Sequence, residues 1–485
     1  MRFNRILLIS PPSSSYLGAA RPPQNLGYLA QALDDHGITQ ASLDMRLSHP
    51  FRHLERTIRE FLPDLIGISL VSHEYQRAYD LIQNIKRRFE TIPIITGGPH
   101  VTVLKERVLQ ECPEIDFGAV NEGEELLVDL CDSGKAPETI PGLISRAGSR
   151  IHYAGPREPD SDLDRIAFPR YGGFDMKRYI REIPMNSSRG CPYQCVFCPN
   201  KIISKRYRYR SAAHVAEEIE YWYGLGYRIF NFDDDNFTLK QERVYELCDE
   251  IERRSIRNTE FRCSNGLRAD RIDRDLLVRM KQVGFHYIAF GIDGGNDRML
   301  RFNKKGETME QIDSAVKNAC ELGYDVKIFC IIGMPHETLR DVEDSYRFVQ
   351  KYPVQRVILN NPIPYPGTEL FDYIRDNRLF LLPPEVYLNQ VTENKNVPVF
   401  ETTELPREAR IRLLRRNRKI EKQVTLRAVR RMYARNPLLR WAAVLMFASG
   451  MGERLFFGSN RFRQVIENIR FKRMLRTRNA FGATA

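Results

Sequence analysis

The sequence predicts an α/β protein in three parts: a doubly wound parallel sheet, a partial barrel of six β/α units, and a helical, basic C-terminal region. Two series of short apolar strands alternate with amphipathic helical segments, and this alternation is typical of parallel sheets covered by helices. A proline-rich segment separates the two series, and the positive charge is concentrated after residue 405. A length of 485 residues agrees with about three units. We expect domains at residues 1–145, 184–385 and 386–485, with a linker at 146–183.

The first series predicts a Rossmann-like sheet. Its strands are expected at residues 5–10, 41–44, 65–69, 93–96 and 117–120, with helical spacing at 26–36 and 75–89. Such sheets bind ligands at the C-terminal ends of their strands. The candidate contacts are therefore residues that follow the strands: Ser69, Gly97, Gly98, His100, Glu122 and Gly123. Glycines in β/α turns are often no more than turns, and His73 and His100 are equally well explained as polar loop residues.

The second series predicts a partial, TIM-like barrel. It follows a segment, residues 151–183, whose prolines and acidic run are typical of a linker. Strands are expected at residues 185–188, 228–232, 260–264, 287–291, 326–332 and 357–360. Helices are expected at 212–223, 241–253, 274–283, 309–322 and 338–351. The chemistry of such a barrel belongs at the C-terminal ends of its strands.

One short loop after the first barrel strand holds three cysteines, Cys191, Cys195 and Cys198. A short irregular loop lets three thiolates reach three corners of a four-iron cluster, and the fourth iron then stays open for a small chelating molecule. Zinc normally takes four ligands in recurrent pairs, whereas the other six cysteines are scattered singly. The spacing favours an open [4Fe-4S] site; a zinc site and three structural cysteines are the alternatives.

This cysteine run, with Phe197 before its last cysteine, resembles the signature of the radical S-adenosylmethionine (SAM) superfamily. The resemblance implies that the three cysteines bind a [4Fe-4S] cluster and that SAM binds the open iron through its amino and carboxylate groups. It also implies reductive cleavage of SAM to a 5′-deoxyadenosyl radical, with electrons from a donor such as flavodoxin or ferredoxin.

Two of the later strand ends carry acidic and basic residues that resemble SAM contacts of this superfamily. Asp234 and Asp235 lie in a run that resembles the DDxF segment of cobalamin-type members, which implies a position facing the SAM ammonium. Arg268 follows the third strand, where relatives have an arginine that faces SAM. A solvated acidic turn and a surface arginine in an ion pair are the alternatives for these residues.

Two further strand ends resemble the superfamily with one departure. Asp293 lies in Gly-Ile-Asp-Gly-Gly, where relatives usually have Gly-Ile-Glu-Ser-Gly, so the shorter carboxylate replaces glutamate and the serine is absent. Gly333 and Pro335 match the Gly-x-Pro-x-Glu-Thr segment on the adenine side of SAM. A glycine at a strand end also allows close backbone approach to a flat ligand.

Residues 1–140 resemble the cobalamin-binding domain that precedes many radical SAM cores. The resemblance rests on residues 22–30, 66–69, 97–100 and 121–124, and it implies that the candidate residues of the first sheet contact cobalamin. The DxHxxG pattern that supplies a lower axial histidine is not met, because Arg46 stands at the histidine position after Asp44. We therefore expect no histidine from this loop on cobalt.

The C-terminal region is strongly basic. Residues 406–485 contain 21 Lys and Arg but only four Glu, whereas the whole chain has a net charge of +12. The apolar run 441–448 is too short to span a bilayer, which takes ~20 residues. Phe462, Val465, Ile466 and Ile469 have helical spacing among arginines, typical of a helix in a membrane interface. A helical cap on the barrel is the main alternative; nucleic acid is less favoured, because no nucleic-acid-binding motif accompanies the arginines.

The sequence thus predicts a radical SAM enzyme that uses cobalamin to methylate an unactivated carbon of a small or lipid-like substrate. A non-methylating cyclase, oxidase or rearrangement enzyme is the first alternative, and a non-catalytic cobalamin or iron–sulfur sensor is the second. Methylthiolation is disfavoured because no cysteine precedes Cys112 to bind a second cluster. With no recognisable signal peptide and no cysteine pairing pattern, we expect a cytoplasmic protein, peripheral to the inner face of the membrane if the basic region binds lipid.

Overall fold

The computed structural model describes residues 3–13, 21–132, 134–204, 206–390, 397–434, 436–449, 462, 464–469 and 471–472. These residues form two compact units. One contains the chain up to Tyr179 and the short helix Pro384–Tyr387, and the other contains most of the chain from Ile180 onwards. Each unit is built around one large sheet.

The first unit has a seven-stranded sheet. Its strands are β1 Arg5–Ser10, β2 Thr39–Asp44, β3 Leu65–Ser69, β4 Ile94–Gly97, β5 Phe117–Ala119, β6 Leu143–Ala147 and β7 Arg150–Tyr153. They lie in the order β2-β1-β3-β4-β5-β6-β7; the first five are parallel, and β6 and β7 add an antiparallel hairpin. The order 2-1-3-4-5 is that of a flavodoxin-like doubly wound sheet, which binds ligands where the order reverses, between β1 and β3.

Helices cover both faces of this sheet. They are α1 Gln24–Asp35, α2 Phe51–Phe61, α3 Tyr75–Lys86, α4 Pro99–Leu104, α5 Glu106–Glu111 and α6 Glu124–Asp132. Alternate residues of β1 show the two faces: Leu7 and Ile9 belong to one buried apolar cluster, and Ile6 and Leu8 belong to the other. Because both faces are covered, the central strands are apolar throughout, as parallel strands usually are.

The second unit has a six-stranded parallel sheet and a two-stranded ribbon. The strands are β8 Glu182–Met185, β9 Ser188–Arg189, β10 Arg208–Tyr209, β11 Ile229–Phe232, β12 Glu260–Leu267, β13 Phe285–Gly291, β14 Asp325–Ile331 and β15 Arg356–Asn360. The sheet order is β15-β14-β13-β12-β11-β8, and β9 pairs with β10. In the described chain β8 and β15 do not pair with each other, so the barrel is partial.

The remaining helices complete the chain. They are α7 Asn200–Ile203, α8 Ala212–Gly224, α9 Gln241–Arg253, α10 Arg274–Val283, α11 Asp297–Phe302, α12 Met309–Glu321, α13 Leu339–Lys351, α14 Glu369–Asp376, α15 Pro384–Tyr387, α16 Arg407–Met432 and α17 Pro437–Ala448. Phenylalanine rings pack between neighbouring barrel strands; the rings of Phe230 and Phe261 are 5.6 Å apart, and those of Phe261 and Phe285 are 5.1 Å apart. These apolar pairs stabilise the strands that carry the candidate site.

The α/β class, the doubly wound sheet and the six-stranded partial barrel are confirmed. The first barrel strand is a correction: it spans Glu182–Met185, whereas the sequence predicted residues 185–188. The apolar pattern continued past Met185, but Ser188 and Arg189 leave the sheet to pair with Arg208 and Tyr209. The strand β7 lies within the segment predicted to be a linker. The sequence did not predict this strand, because its alternation of apolar and polar residues is too short to distinguish from a loop.

The described residues of the C-terminal region are mostly helical from Arg407 onwards. Helix α16 packs on β15, and α17 packs on α16. Residues 464–469 are also helical; there Glu467 is buried and pairs with Arg262 at 2.7 Å, while Val465 and Ile469 are exposed. Most of the basic residues of 461–478 lie outside the described residues. No helix in the described ranges is long and apolar enough to cross a membrane.

Candidate active site

The three predicted cysteines share one loop, which begins after β9 near the C-terminal end of the first barrel strand. Gly190 opens this loop with a φ of 85°, a conformation that suits glycine. The Val196 N–H donates to the Asn303 carbonyl at 3.2 Å, and the Val196 carbonyl accepts from the Leu370 N–H at 2.9 Å. These bonds fasten the middle of the loop to two distant segments. Phe197 is half-buried on the same loop.

The three thiols are partly exposed and close to one another. Burial raises the pKa of the Cys191 and Cys195 thiols and raises that of Cys198 to about 12; the charge of Cys191 adds to the rise at Cys195 and Cys198. Within the described part of the chain, no three His, Cys, Asp or Glu side chains converge on a single metal ion. A four-iron cluster does not require such convergence, because each thiolate binds a different iron.

Asp235 holds both ends of the cysteine loop. Its carboxylate accepts a hydrogen bond from the Gly190 N–H at 3.1 Å and another from the Asn200 side-chain amide at 2.7 Å. Gly190 directly precedes Cys191, and Asn200 follows Cys198 by two residues. Burial raises the pKa of Asp235. The side chain therefore positions the loop and brings a carboxylate next to the thiols.

Asp234 has a different set of partners. It is 3% exposed and accepts from the Ser187 N–H at 3.2 Å, from the Ser187 hydroxyl at 2.7 Å and from the Ser188 hydroxyl. These bonds tie the end of β11 to the segment between β8 and β9. Adjacent residues leaving a strand point to opposite sides, so the two carboxylates act on different parts of the site.

Asn236 has a buried amide with no hydrogen-bond partner for either amide atom among the described residues. It lies beside the first cysteine: burial raises the pKa of the Cys191 thiol, and the nearby Asn236 amide opposes that rise. Buried polar groups without a partner are rare, and a bound group is one explanation for them. This amide is therefore available to a group bound on the cysteines.

Arg268 is buried and held by backbone carbonyls. Its guanidinium donates to the carbonyl oxygens of Lys305 at 2.6 Å and Gly306 at 3.2 Å, and to Asp270 at 2.9 Å. The guanidinium carbon lies 3.4 Å from the ring centroid of Tyr193, a residue of the cysteine loop. The arginine thus supports the loop through a cation–π contact. It does form an ion pair, with Asp270, but the pair is buried and not on the surface as the alternative for this residue required.

Asp293 is paired with a buried lysine. The Lys305 ammonium lies 2.9 Å from Asp293 and 3.6 Å from Glu307. Burial lowers the pKa of Lys305, but the two carboxylates outweigh this effect and raise it. Asp293 also adopts a φ of 45°. The shorter aspartate therefore has a buried cation as its partner at the position where relatives have glutamate.

Gly333 and Pro335 lie in a tight turn after β14, and both are buried. The Glu337 carboxylate accepts from the N–H groups of Gly333 and Met334, and burial raises the pKa of Glu337 to about 7. An added Cβ on Gly333 would lie 2.9 Å from the guanidinium of Arg410, a residue of α16. Glycine is therefore required for this close approach, in addition to its φ of 104°.

The strand ends of the first sheet bring together five of the six residues predicted there. Ser69 and Gly97 end the neighbouring strands β3 and β4, Gly98 follows β4, and Glu122 and Gly123 lie between β5 and α6. Gly98 has a φ of 104°, and a Cβ there would lie 2.6 Å from the Leu70 carbonyl oxygen. The result is a rim of small residues at one edge of the sheet. Ser69 accepts a hydrogen bond from Asn25 at 2.7 Å.

His100 is buried in the same unit rather than exposed at this rim. One ring nitrogen lies 3.1 Å from the Tyr79 hydroxyl and the other lies 3.3 Å from the Ser72 hydroxyl, and the ring stacks on Tyr75 at 4.7 Å. Burial lowers its pKa to about 4, so the imidazole is neutral.

Arg46, which stands at the histidine position of the DxHxxG pattern, is bound to Asp44. The guanidinium donates to both carboxylate oxygens, at 2.8 and 2.6 Å, and to the Arg21 carbonyl at 3.0 Å. The Tyr179 hydroxyl also donates to Asp44 at 3.1 Å. The aspartate that would orient an axial histidine is thus occupied by an arginine, which cannot ligate cobalt while protonated.

Sequence reasoning missed Asn200, Asn236, Lys305 and Arg410. Asn200 and Asn236 stand inside motifs that the sequence singled out, and their position there was a usable signal. Lys305 precedes a glycine in a charged stretch that is typical of a solvated loop. No periodic pattern around it indicates that the side chain is buried. Arg410 reaches the site from a helix about 75 residues after the strand it serves, so only the fold brings it there.

These features define a class of protein. A partial barrel carries a three-thiol loop at its first strand end and fixed charges at the following ones, and a separate doubly wound sheet presents a glycine-rich rim. Two family profiles match the same regions: the B12 binding domain over residues 17–131 and the radical SAM superfamily over residues 185–349.

The chain belongs to the radical SAM proteins that carry an N-terminal B12-binding domain, and it is a radical SAM enzyme. A protein of Pyrococcus horikoshii named an uncharacterized methyltransferase is 31% identical over 79% of this chain and 85% of its own. An anaerobic magnesium-protoporphyrin IX monomethyl ester cyclase of Cereibacter sphaeroides is 26% identical over 77% of this chain; the match spans 64% of that cyclase.

The fold is also that of a solved structure. The radical SAM methyltransferase TsrM from Kitasatospora setae, determined with cobalamin and a [4Fe-4S] cluster, has a TM-score of 0.67, 21% identity, and coverage of 78% of each chain.

The residues present fit the cofactors of this family: a [4Fe-4S] cluster, SAM and cobalamin. Three neighbouring thiols and the unpartnered amide of Asn236 fit a cluster with a ligand beside it. Gly97 and Gly98 stand at the C-terminal end of β4, the edge at which doubly wound sheets bind their ligands. This edge fits cobalamin without an axial histidine from the Arg46 loop.

Proposed function

We propose that this protein transfers a methyl group to an unactivated carbon of a small or lipid-like substrate, using SAM and cobalamin. The observation that carries the proposal is the three-thiol loop, held by Asp235 at a barrel strand end, in a chain that also has a B12-binding domain. When bound, the cofactors supply the electron, the 5′-deoxyadenosyl radical and the methyl group.

The chain's own residues would position these groups. Cys191, Cys195 and Cys198 would hold the cluster, and Asp235 would keep their loop in one conformation. The Asn236 amide would donate toward the sulfur of Cys191, and such hydrogen bonds tune the reduction potential of iron–sulfur sites.

The adenosine portion of SAM would lie along the Gly333 turn. This turn offers its backbone and the apolar ring of Pro335. The N–H groups of Gly333 and Met334 donate to the buried Glu337, which fixes the conformation of the turn. A water-poor strand end of this kind protects a radical from side reactions and fixes its distance from the substrate carbon.

A second candidate is a radical reaction without methyl transfer. It is favoured by the arginine at the axial histidine position and by the similarity to a relative named as a cyclase. Both candidates use the same cysteine loop, so they differ in whether cobalamin is bound and a second molecule of SAM is consumed.

The test is product analysis by mass spectrometry after anaerobic reconstitution and dithionite reduction, with SAM and with or without cobalamin. The proposal predicts 5′-deoxyadenosine together with retained cobalamin and S-adenosylhomocysteine. Deoxyadenosine from protein that retains no cobalamin would favour the second candidate. Neither product from protein with a full cluster would favour a sensor and contradict both enzymatic candidates.

A matched pair of cysteine variants distinguishes loss of a cluster ligand from a general effect of removing a cysteine. Cys195→Ala should abolish deoxyadenosine formation, because one corner of the cluster loses its ligand. Cys320→Ala should not, since Cys320 lies on α12 outside the loop.

A further inference from the structure

Helix α17 presents an apolar stripe to solvent. Leu438, Trp441, Ala442 and Leu445 have i, i+3, i+4, i+7 spacing and therefore share one face. The side chains of Leu438, Trp441 and Leu445 are 81%, 69% and 52% exposed, and Leu439 beside them is 54% exposed. No residue of this helix is buried. Single exposed apolar residues are normal, but a contiguous stripe of this size marks an interaction surface.

Cations flank this stripe at both ends. Helix α16, on which α17 packs, contains eleven Lys and Arg and two Glu. At the C-terminal end of α17, the Lys422 ammonium donates to the Ala448 carbonyl at 2.5 Å. At the other end, Arg430 and Arg431 form the last turn of α16, just before the connection to Pro437.

An anionic lipid bilayer fits both features. A helix in the membrane interface buries its apolar face at the acyl boundary and keeps its cations among the headgroups, and tryptophan is favoured at that depth. The 12 residues of α17 extend over ~18 Å, a length suited to lying along a surface. We infer that α17, with the exposed cations of α16, is a docking surface for an anionic bilayer.

Other occupants fit less well. A second copy of this chain would bring its own strongly basic α16 close to this one, and the like charges would repel. A nucleic acid would satisfy the cations, but it would leave Leu438 and Leu445 in water. The inference does not depend on the proposed methyl transfer, since it concerns residues outside the cysteine loop and the strand ends.

The chain contains its own reporter for a binding experiment. Of its two tryptophans, Trp222 is 2% exposed and Trp441 is 69% exposed. Full-length protein should float with vesicles that contain phosphatidylglycerol, and its emission should shift to the blue as Trp441 leaves water. Vesicles of phosphatidylcholine alone should bind at least about tenfold more weakly, because several cations lose their attraction to anionic headgroups. Added salt should release the protein.

Two variants test the apolar and the charged contributions separately. Leu438→Ser with Trp441→Ser should weaken vesicle binding by at least about tenfold, because two large apolar side chains no longer enter the acyl boundary. Lys419→Glu with Arg430→Glu should weaken it by a similar factor, and only for anionic vesicles. Leu225→Ser is the matched control, because Leu225 is 55% exposed but follows α8. Trp441→Phe should keep binding and remove the spectral shift.

Three results would overturn the inference. The first is no difference between anionic and neutral vesicles. The second is a Trp441 emission that is already blue in the absence of lipid, which would mean that this chain covers the stripe itself. The third is concentration-dependent dimerisation that the serine variant abolishes, which would assign the stripe to a second copy.

Discussion

The C-terminal strand ends of the two sheets are built differently. In the barrel, charged side chains reach between segments: Asp235 joins both ends of the cysteine loop, and Lys305 joins Asp293 to Glu307. In the N-terminal sheet, four of the five rim residues are serine or glycine, and the nearby charged pair of Asp44 and Arg46 is local. The barrel edge is specified by fixed charge, as expected for a site that holds a charged cofactor in place. The other edge is specified by shape, as expected for a site that accepts a large cofactor.

The largest expected effect is on stability, and it belongs to Lys305 at the barrel edge. Lys305→Met would leave Asp293 and Glu307 buried without a cation, and we expect the free energy of unfolding to fall by about 3–5 kcal/mol. The neighbouring Lys304 is the matched control: its side chain is 52% exposed and pairs with Glu369. Lys304→Met should cost less than about 1 kcal/mol. Urea unfolding of the apoprotein measures both, and equal small losses would contradict a barrel edge specified by charge.

The next effect concerns pH. The pKa of Glu337 is raised by burial from its ordinary 4.5 to about 7, so the folded protein favours the neutral carboxyl. The stability that this group contributes is complete below pH ~4.5 and is lost as pH rises through ~7, in total about 3 kcal/mol. Glu337→Gln should remove this part of the pH dependence, as followed by unfolding between these pH values. Glu408→Gln, at an exposed position of α16, should leave it unchanged. A pH profile that Glu337→Gln does not alter would contradict the assignment.

Asp235→Asn tests the clamp on the cysteine loop. Asparagine keeps the size but not the charge, and hydrogen bonds to a charged group contribute about 1.5–3 kcal/mol. We expect SAM cleavage to slow by about ten- to a hundredfold while the iron content stays close to that of the wild type. The cleavage rate and the iron content per chain are measured on the same reconstituted sample. Unchanged cleavage would mean that the loop does not need this carboxylate.

The smallest effect belongs to the glycine rim. Gly98→Ala should cost about 1–3 kcal/mol, because φ is 104° and the Cβ would meet the Leu70 carbonyl. Gly97→Ala should change stability by less than about 1 kcal/mol, since its Cβ would lie 3.4 Å from that of Ala119, an ordinary contact. If the rim accepts cobalamin by shape, Gly97→Ala should still weaken cobalamin binding, as measured by spectroscopic titration. An unaltered affinity for cobalamin would mean that the rim at Gly97 does not contact the cofactor.

The sequence predicted the elements well and their partners less well. Strong periodicity placed strands such as Arg5–Ser10 and helices such as Gln241–Arg253 at the bounds that the structure has. The motif around the cysteines likewise located the loop. It could not separate Asp234, which is bonded to serines, from Asp235, which clamps the loop, because their roles depend on which way each side chain points. The role of Arg410 could not be predicted from the sequence, since its contact with the Gly333 turn depends on how α16 packs.

The most direct test of the account is electron paramagnetic resonance of the anaerobically reconstituted, reduced protein before and after addition of SAM, with iron counted per chain. The account predicts four irons in the wild type, a [4Fe-4S] signal that changes when SAM binds the open iron, and loss of both in Cys191→Ala, Cys195→Ala and Cys198→Ala. A full four-iron cluster in any of these variants, or a wild-type signal that SAM leaves unchanged, would contradict it.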